Sequence, residues 1–137
     1  SMPPATDEVE PHCLLAGKRV LLAEDNDINV EVMKALLEEF KLDLHHASNG
    51  QEAIDALANQ EFDLVLMDVQ MPQVDGINAT KHIRQILKKN TPIIALTANA
   101  MQQDIDECLA AGMNAHVGKP VDKAFLVSTL RRYLTAA

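Results

Sequence analysis

The chain has 137 residues with 20 acidic against 12 basic side chains, a formal net charge of −8, 47% hydrophobic residues and 3% aromatics. That length fits one domain with a core large enough to fold without disulfides or a structural metal. The acidic balance excludes nucleic acid and anionic membrane surfaces as electrostatic partners, and no apolar run approaches the ~20 residues of a membrane span.

Residues 1–17 carry Pro3, Pro4 and Pro11 among charges and show no hydrophobic period. They are expected to be tail or linker, disordered in large part, with the folded domain over 18–137. Ser1-Met2 reads as the scar of a cleaved tag, so the chain is expected to be an excised piece of something longer. Cys13 and Cys108 match no paired-ligand spacing, which points to a reducing compartment.

From Lys18 onward, apolar strand patterns alternate five times with helical ones. The first strand is Arg19–Ala23, followed by a helix with Met33, Leu36, Leu37 and Phe40 on one face and Asp27 or Asn29 as its N-cap. Residues 42–47 form the second strand, where adjacent His45 and His46 point to opposite faces and read as surface or edge residues, not as metal ligands. The second helix places Ala53, Ile54, Leu57 and Ala58 together. After a third strand at 63–67, a helix has Ile83, Ile86 and Leu87 on one side and Lys81, Arg84 and Lys88 on the other. Ile93–Thr97 is the fourth strand. The helix after it starts near Met101, packs Cys108 as a small apolar group and stops at Gly112, a natural C-cap. Ala115–Gly118 is the fifth strand, and the last helix runs from about Asp122 through Phe125, Leu126, Leu130 and Leu134. Met33, Met67 and Met101 are read as fillers of core or loop gaps. The strand runs VLL, LVLM and IIAL do not alternate, as expected where both faces are covered. Five such repeats predict a doubly wound α/β domain with a parallel sheet and helices on both faces.

Ligands of such sheets bind beyond the carboxyl ends of the strands. Strand one ends in Glu24-Asp25, strand three in Asp68, strand four in Thr97 and strand five in Lys119-Pro120, whereas Ala47-Ser48-Asn49 after strand two suits a sheet edge. Three carboxylates brought together repel unless a cation sits among them. An all-oxygen set selects a hard ion, Mg²⁺, with Mn²⁺ as a substitute. With a lysine and a hydroxyl on the same rim, the inventory suits phosphoryl transfer to a carboxylate nucleophile. GxxxxGK(S/T), GxGxxG and GxSxG motifs are missing, which argues against a nucleotide cofactor or a serine hydrolase. Taken singly, the acidic run is a solvated turn, Asp68 a loop carboxylate, Lys119 a surface charge and Thr97 a strand residue. Their joint placement at strand ends is what turns the reading toward function.

RVLLAEDN at 19–26, LVLMDVQMPQVDG at 64–76, IIALTA at 93–98 and AGMNAHVGKP at 111–120 together resemble the receiver domain of two-component response regulators, over the chain from about Lys18 onward. The resemblance implies a flavodoxin-like (βα)5 fold with strand order 2-1-3-4-5. It makes Asp68 the phosphoacceptor that attacks a phosphohistidine, and Glu24 and Asp25 the acidic pair that holds Mg²⁺ with Asp68 and the Gln70 main-chain carbonyl. Thr97 becomes the switch hydroxyl and Lys119 the cation that pairs with the phosphoryl group, preceding a cis Lys119–Pro120 peptide. His116 stands where the family often has a switch Tyr or Phe, and Val74 where Met is usual. Gln70 and Asn99 occupy positions that tune phosphoryl lifetime.

LLAEDNDIN, MDVQMP, ALTANAM and GMNAHVGKP resemble more closely the receivers of hybrid histidine kinases. This implies a phosphohistidine domain of a histidine kinase or a histidine phosphotransfer domain as partner, recognised around Ile28 to Leu36 and Pro120 to Asp122. Output would come from the helix 4, strand 5 and helix 5 surface, through which a homodimer is also allowed. No nucleic acid and no direct membrane contact are implied. The implied place is the cytoplasm, within a parent kinase tethered to the inner face of the membrane. Such a domain catalyses its own phosphorylation and slow dephosphorylation without multiple turnover. Three alternatives stay open: a phosphorylation-independent interaction module, a stand-alone single-domain response regulator, and a Mg²⁺-dependent phosphatase. Against the last, Gln70 stands where that chemistry wants a second acid.

Overall fold

Five strands and five helices alternate in the computed structural model, which describes residues 14–99 and 101–135. They are β1 (Arg19–Ala23), α1 (Asp27–Leu37), β2 (Asp43–Ala47), α2 (Gly50–Asn59), β3 (Leu64–Asp68), α3 (Gly76–Gln85), β4 (Ile93–Thr97), α4 (Gln102–Ala111), β5 (Ala115–Gly118) and α5 (Lys123–Leu134). The sheet is parallel in the order β2-β1-β3-β4-β5. Val20 lies between Leu44 and Leu64, Asp68 beside Leu96, and Thr97 beside Gly118. This is the doubly wound fold the repeats predict, with β2 at an edge.

Side-chain alternation along the strands divides the core in two. Leu21, Ala23, Val65, Met67, Ile93 and Ala95 pack with Ala53, Leu57, Ala79, Ile83 and Cys108, under α2, α3 and α4. Val20, Leu22, Leu64, Leu66, Ile94 and Leu96 pack with Val30, Met33, Leu37, Leu126 and Leu130, under α1 and α5. Because both faces are covered, β3 and β4 are buried throughout, which is why their sequences do not alternate.

Local details differ from the sequence expectation. Asn26, not Asp27 or Asn29, caps α1: its side chain accepts the Asn29 amide at 3.0 Å. α1 stops at Leu37, and a 3-10 turn over Glu38–Phe40 keeps Phe40 buried. Ile86 and Phe125 are 64% and 53% exposed, so they leave the core that helical spacing assigned them, as does exposed Ala58, and Met101, read as a filler of core or loop gaps, is 59% exposed. For Ile86 the cause is the end of α3 at Gln85.

Arg84 is not a solvated outer charge. Its Nε donates to the Gly112 carbonyl at 2.9 Å, Nη1 to the Lys89 carbonyl at 2.8 Å, and Nη2 to Asn114 Oδ1 at 2.9 Å, tying α3 to the α4–β5 turn. Gly112 caps α4 at φ 114°, where a Cβ would come 2.7 Å from Arg84 Cγ.

Packing extends upstream of Lys18. Leu15 is fully buried in the α1 and α5 layer, and the Gly17 amide donates to the Lys41 carbonyl at 2.8 Å. His12 and Cys13 lie outside the described residues. Leu15→Ala should therefore cost about 2 to 4 kcal/mol in urea unfolding with little change in m. A loss within about 0.5 kcal/mol, as for a surface site, would show that Leu15 is not part of the core.

Candidate functional site

The carboxyl ends of β1, β3, β4 and β5 meet at one rim. Glu24, just beyond β1, is 1% exposed and Asp68, the last residue of β3, 6%, whereas Asp25 is open to solvent. Lys119 Nζ lies 3.1 Å from Glu24 Oε1 and 3.0 Å from Asp68 Oδ2, bridging both buried carboxylates. The second oxygen of Glu24 accepts the Asn26 amide at 3.2 Å and Asn29 Nδ2 at 3.5 Å. The second oxygen of Asp68 accepts the Gln70 amide at 3.1 Å.

Backbone geometry holds these groups in place. Gly76 opens α3 against the end of β3, where a Cβ would fall 2.2 Å from the Asp68 carbonyl oxygen, so only glycine fits. The Lys119 amide donates to the Thr97 carbonyl at 2.9 Å, continuing the β4–β5 ladder, and the Lys119–Pro120 peptide is cis. Thr97 turns its hydroxyl onto the Asn99 carbonyl at 2.6 Å and accepts the Asn99 amide at 3.0 Å.

The electrostatics follow from burial and from one shared cation. Burial pushes the Asp68 carboxyl up to about 6; neighbouring Glu24 adds to the rise and Lys119 opposes it. Burial acts on Glu24 as well, but the Lys119 hydrogen bond and the Asn26 amide outweigh it and hold Glu24 below the ordinary carboxylate range. Lys119 is itself desolvated, yet the two carboxylates raise its pKa. Oxygens of Glu24, Asp25 and Asp68 lie within 4.8 Å of one another, an all-oxygen donor set that fits a hard divalent cation, with Asp25 as its solvent-facing side.

Most residues singled out from sequence converge here. Glu24, Asp68 and Lys119 touch directly, and Asp68, Gln70, Thr97, Asn99 and Lys119 line a cleft of about 150 Å³. His116 does not line that cleft; it is half-buried on β5 with Nδ1 lacking a hydrogen-bond partner. Sequence reasoning missed Asn26 and Asn29 as partners of Glu24, and the helical spacing of α4 that places Asp104 and Glu107 on the cleft wall.

Residues 20–131 match the family described as response regulator receiver domain. The chain is 38% identical over 117 residues to the autoinducer 2 sensor kinase/phosphatase LuxQ of Vibrio vulnificus, covering 85% of the chain and 14% of that protein. It is 40% identical over 124 residues to the osmosensing histidine protein kinase SLN1 of Saccharomyces cerevisiae, covering 86% of the chain and 10% of that protein. The chain thus spans a small fraction of these relatives' length. Among solved structures, the receiver domain of a Pseudomonas aeruginosa sensor histidine kinase, with magnesium in its active-site cleft, superposes with TM-score 0.81 at 40% identity, covering 88% of this chain and all of that one. The receiver domain of a Saccharomyces cerevisiae response regulator, crystallised with a histidine phosphotransfer protein, gives TM-score 0.82 at 32% identity over 88% of this chain and 90% of that one. The chain belongs to the response regulator receiver domains, with hybrid histidine kinases among its relatives.

Proposed function

We propose that Asp68 accepts a phosphoryl group from a phosphohistidine, and the observation that carries this reading is the buried Asp68 carboxylate joined to Glu24 through Lys119, beside exposed Asp25. Glu24, Asp25, Asp68 and the Gln70 main-chain carbonyl would hold Mg²⁺, or Mn²⁺ in its place. When bound, the ion neutralises and orients the phosphoryl oxygens.

A carboxylate oxygen of Asp68 attacks phosphorus, the phosphorus–nitrogen bond breaks, and the electron pair leaves with the partner's imidazole. The Gln70 amide on Oδ1 and the Lys119 ammonium on Oδ2 fix the nucleophile's plane before attack. Lys119 then passes from Asp68 to a phosphoryl oxygen without leaving the rim. Thr97 must give up the Asn99 carbonyl to donate to the same group, which frees the loop between β4 and α4 and biases the α4, β5 and α5 surface between two states. Gln70 and Asn99 line the cleft where water would reach the acyl phosphate, and His116, two residues before the Gly118 that pairs with Thr97, would be the switch residue of β5.

The partner would be a phosphohistidine domain of a histidine kinase or a histidine phosphotransfer domain. Its docking face would be α1 with the β5–α5 loop, where Ile28 and Val32 are 74% and 49% exposed beside a groove lined by Val32, Met33, Pro120 and Val121. The helix 4, strand 5 and helix 5 face is left for output or for a homodimer. The reaction would take place in the cytoplasm, within a parent kinase tethered to the inner face of the membrane. Among the described residues no helix is long and apolar enough to cross a membrane.

Incubation with acetyl phosphate and Mg²⁺ should add one phosphoryl group to the intact mass, and EDTA or Asp68→Asn should each abolish it. Labelling of Asp68→Asn would overturn the assignment. The charge balance gives a second expectation. The folded pKa of Asp68, about 6, lies above its unfolded value of 3.8, so the folded state binds the proton more tightly. Stability contributed by that proton is present below pH ~4 and is lost as pH rises toward 6. In metal-free buffer at neutral pH, Asp68→Asn should therefore be more stable than wild type, by up to about 3 kcal/mol in urea unfolding. Mg²⁺ at ten times its Kd should restore about 1.4 kcal/mol to wild type and less to the variant. An Asp68→Asn protein no more stable than wild type without metal would contradict this charge balance.

A further inference from the structure

His46, on the edge strand β2, is claimed by no step of the phosphoryl reaction, yet its Nε2 lies 2.7 Å from the Glu24 main-chain oxygen. A carbonyl only accepts, so Nε2 carries the proton and donates. The position of this bond in the sheet gives it meaning. The Glu24 amide makes the last ladder bond to β2, to the Ala47 carbonyl at 3.0 Å. In a parallel pair the Glu24 carbonyl points to the same side and would take the next amide along β2. After Ala47, however, β2 turns away toward Asn49, which caps α2. The His46 ring supplies the donor the departing strand no longer offers.

The oxygen it holds belongs to the peptide unit joining Glu24 to Asp25. Glu24 has independent restraints on its carboxylate from Lys119, the Asn26 amide and Asn29. Asp25 is exposed, and among the described residues its carboxylate has no hydrogen-bond or ion-pair partner. Its aim is therefore set by the backbone, through the peptide that His46 clamps. We infer that His46 is a positioning residue for divalent-cation binding, which fixes the Glu24–Asp25 peptide so that Asp25 faces the cluster shared with Glu24 and Asp68. This rests on the reading of those three carboxylates as the metal ligands.

The test is Mg²⁺ binding by titration calorimetry to wild type, His46→Leu, His46→Gln, Asp25→Asn and the His46→Leu/Asp25→Asn double variant, all verified as folded by circular dichroism. His46→Leu should weaken Mg²⁺ roughly ten-fold, at the lower end of what removing a supporting partner of a metal ligand costs. His46→Gln, whose amide can donate to the same oxygen, should recover most of the affinity. In the Asp25→Asn background, removal of His46 should change affinity by less than about two-fold, because both act through one ligand. Should His46→Leu not fold, His46→Asn, whose shorter amide falls short of the carbonyl, takes its place. If Asp25→Asn weakens Mg²⁺ but His46→Leu binds as wild type does, the inference fails alone. Wild-type protein that does not bind Mg²⁺, or Asp25→Asn that binds it equally well, overturns the metal-ligand reading and the inference with it.

Discussion

Two buried carboxylates compete for one ammonium. Glu24 and Asp68 come from neighbouring strands and would repel each other across a desolvated rim, and Lys119 relieves that repulsion from 95 and 51 residues away in sequence. Buried charges persist only when paired and hydrogen-bonded, and here each oxygen of both groups has a donor. The arrangement depends on topology: β1 and β3 must be adjacent, and the end of β5 must reach across β4. A parallel sheet ordered β2-β1-β3-β4-β5 meets both conditions. The two layers of aliphatic core hold that sheet rigid enough for the carboxylates to stay crowded.

Such crowding leaves the site poised. Burial makes Asp68 resist ionisation and Lys119, shared with Glu24, only partly offsets it, so a cation added among these carboxylates would favour their charged forms. Thr97 and Asn99 hold each other by two reciprocal bonds at the end of β4. A group that competes for the Thr97 hydroxyl competes with these bonds directly. Thr97 thus stands at the junction of the cleft and the segment that leads to α4.

The strands and the meeting of Glu24, Asp68, Thr97 and Lys119 at one rim were largely legible because each is encoded in short range. Apolar runs ending in Glu24-Asp25, Asp68, Thr97 and Lys119 state both where a strand lies and what stands at its tip. What escaped was set by tertiary context. Helical spacing placed Ile86 and Phe125 inside, but α3 stops at Gln85, and α5 packs through Leu126, Val127 and Leu130 and leaves Phe125 in water. Arg84 looked like an outer charge because nothing local announces the two acceptors it finds on the distant α4–β5 turn, beside the nearby Lys89 carbonyl. His46 was rightly placed on an edge strand, but its bond to Glu24 depends on how two strands part, which no pattern along one of them reveals.

Leu15 extends the aliphatic core upstream of β1. It is sealed at the amino end of β1, whereas Asp68 stands at the carboxyl end of the adjacent strand, about 17 Å away across a five-residue sheet. The two lie at opposite poles. Burial at the pole of Leu15 therefore adds to the core without narrowing the approach to the exposed Asp25 at the other pole.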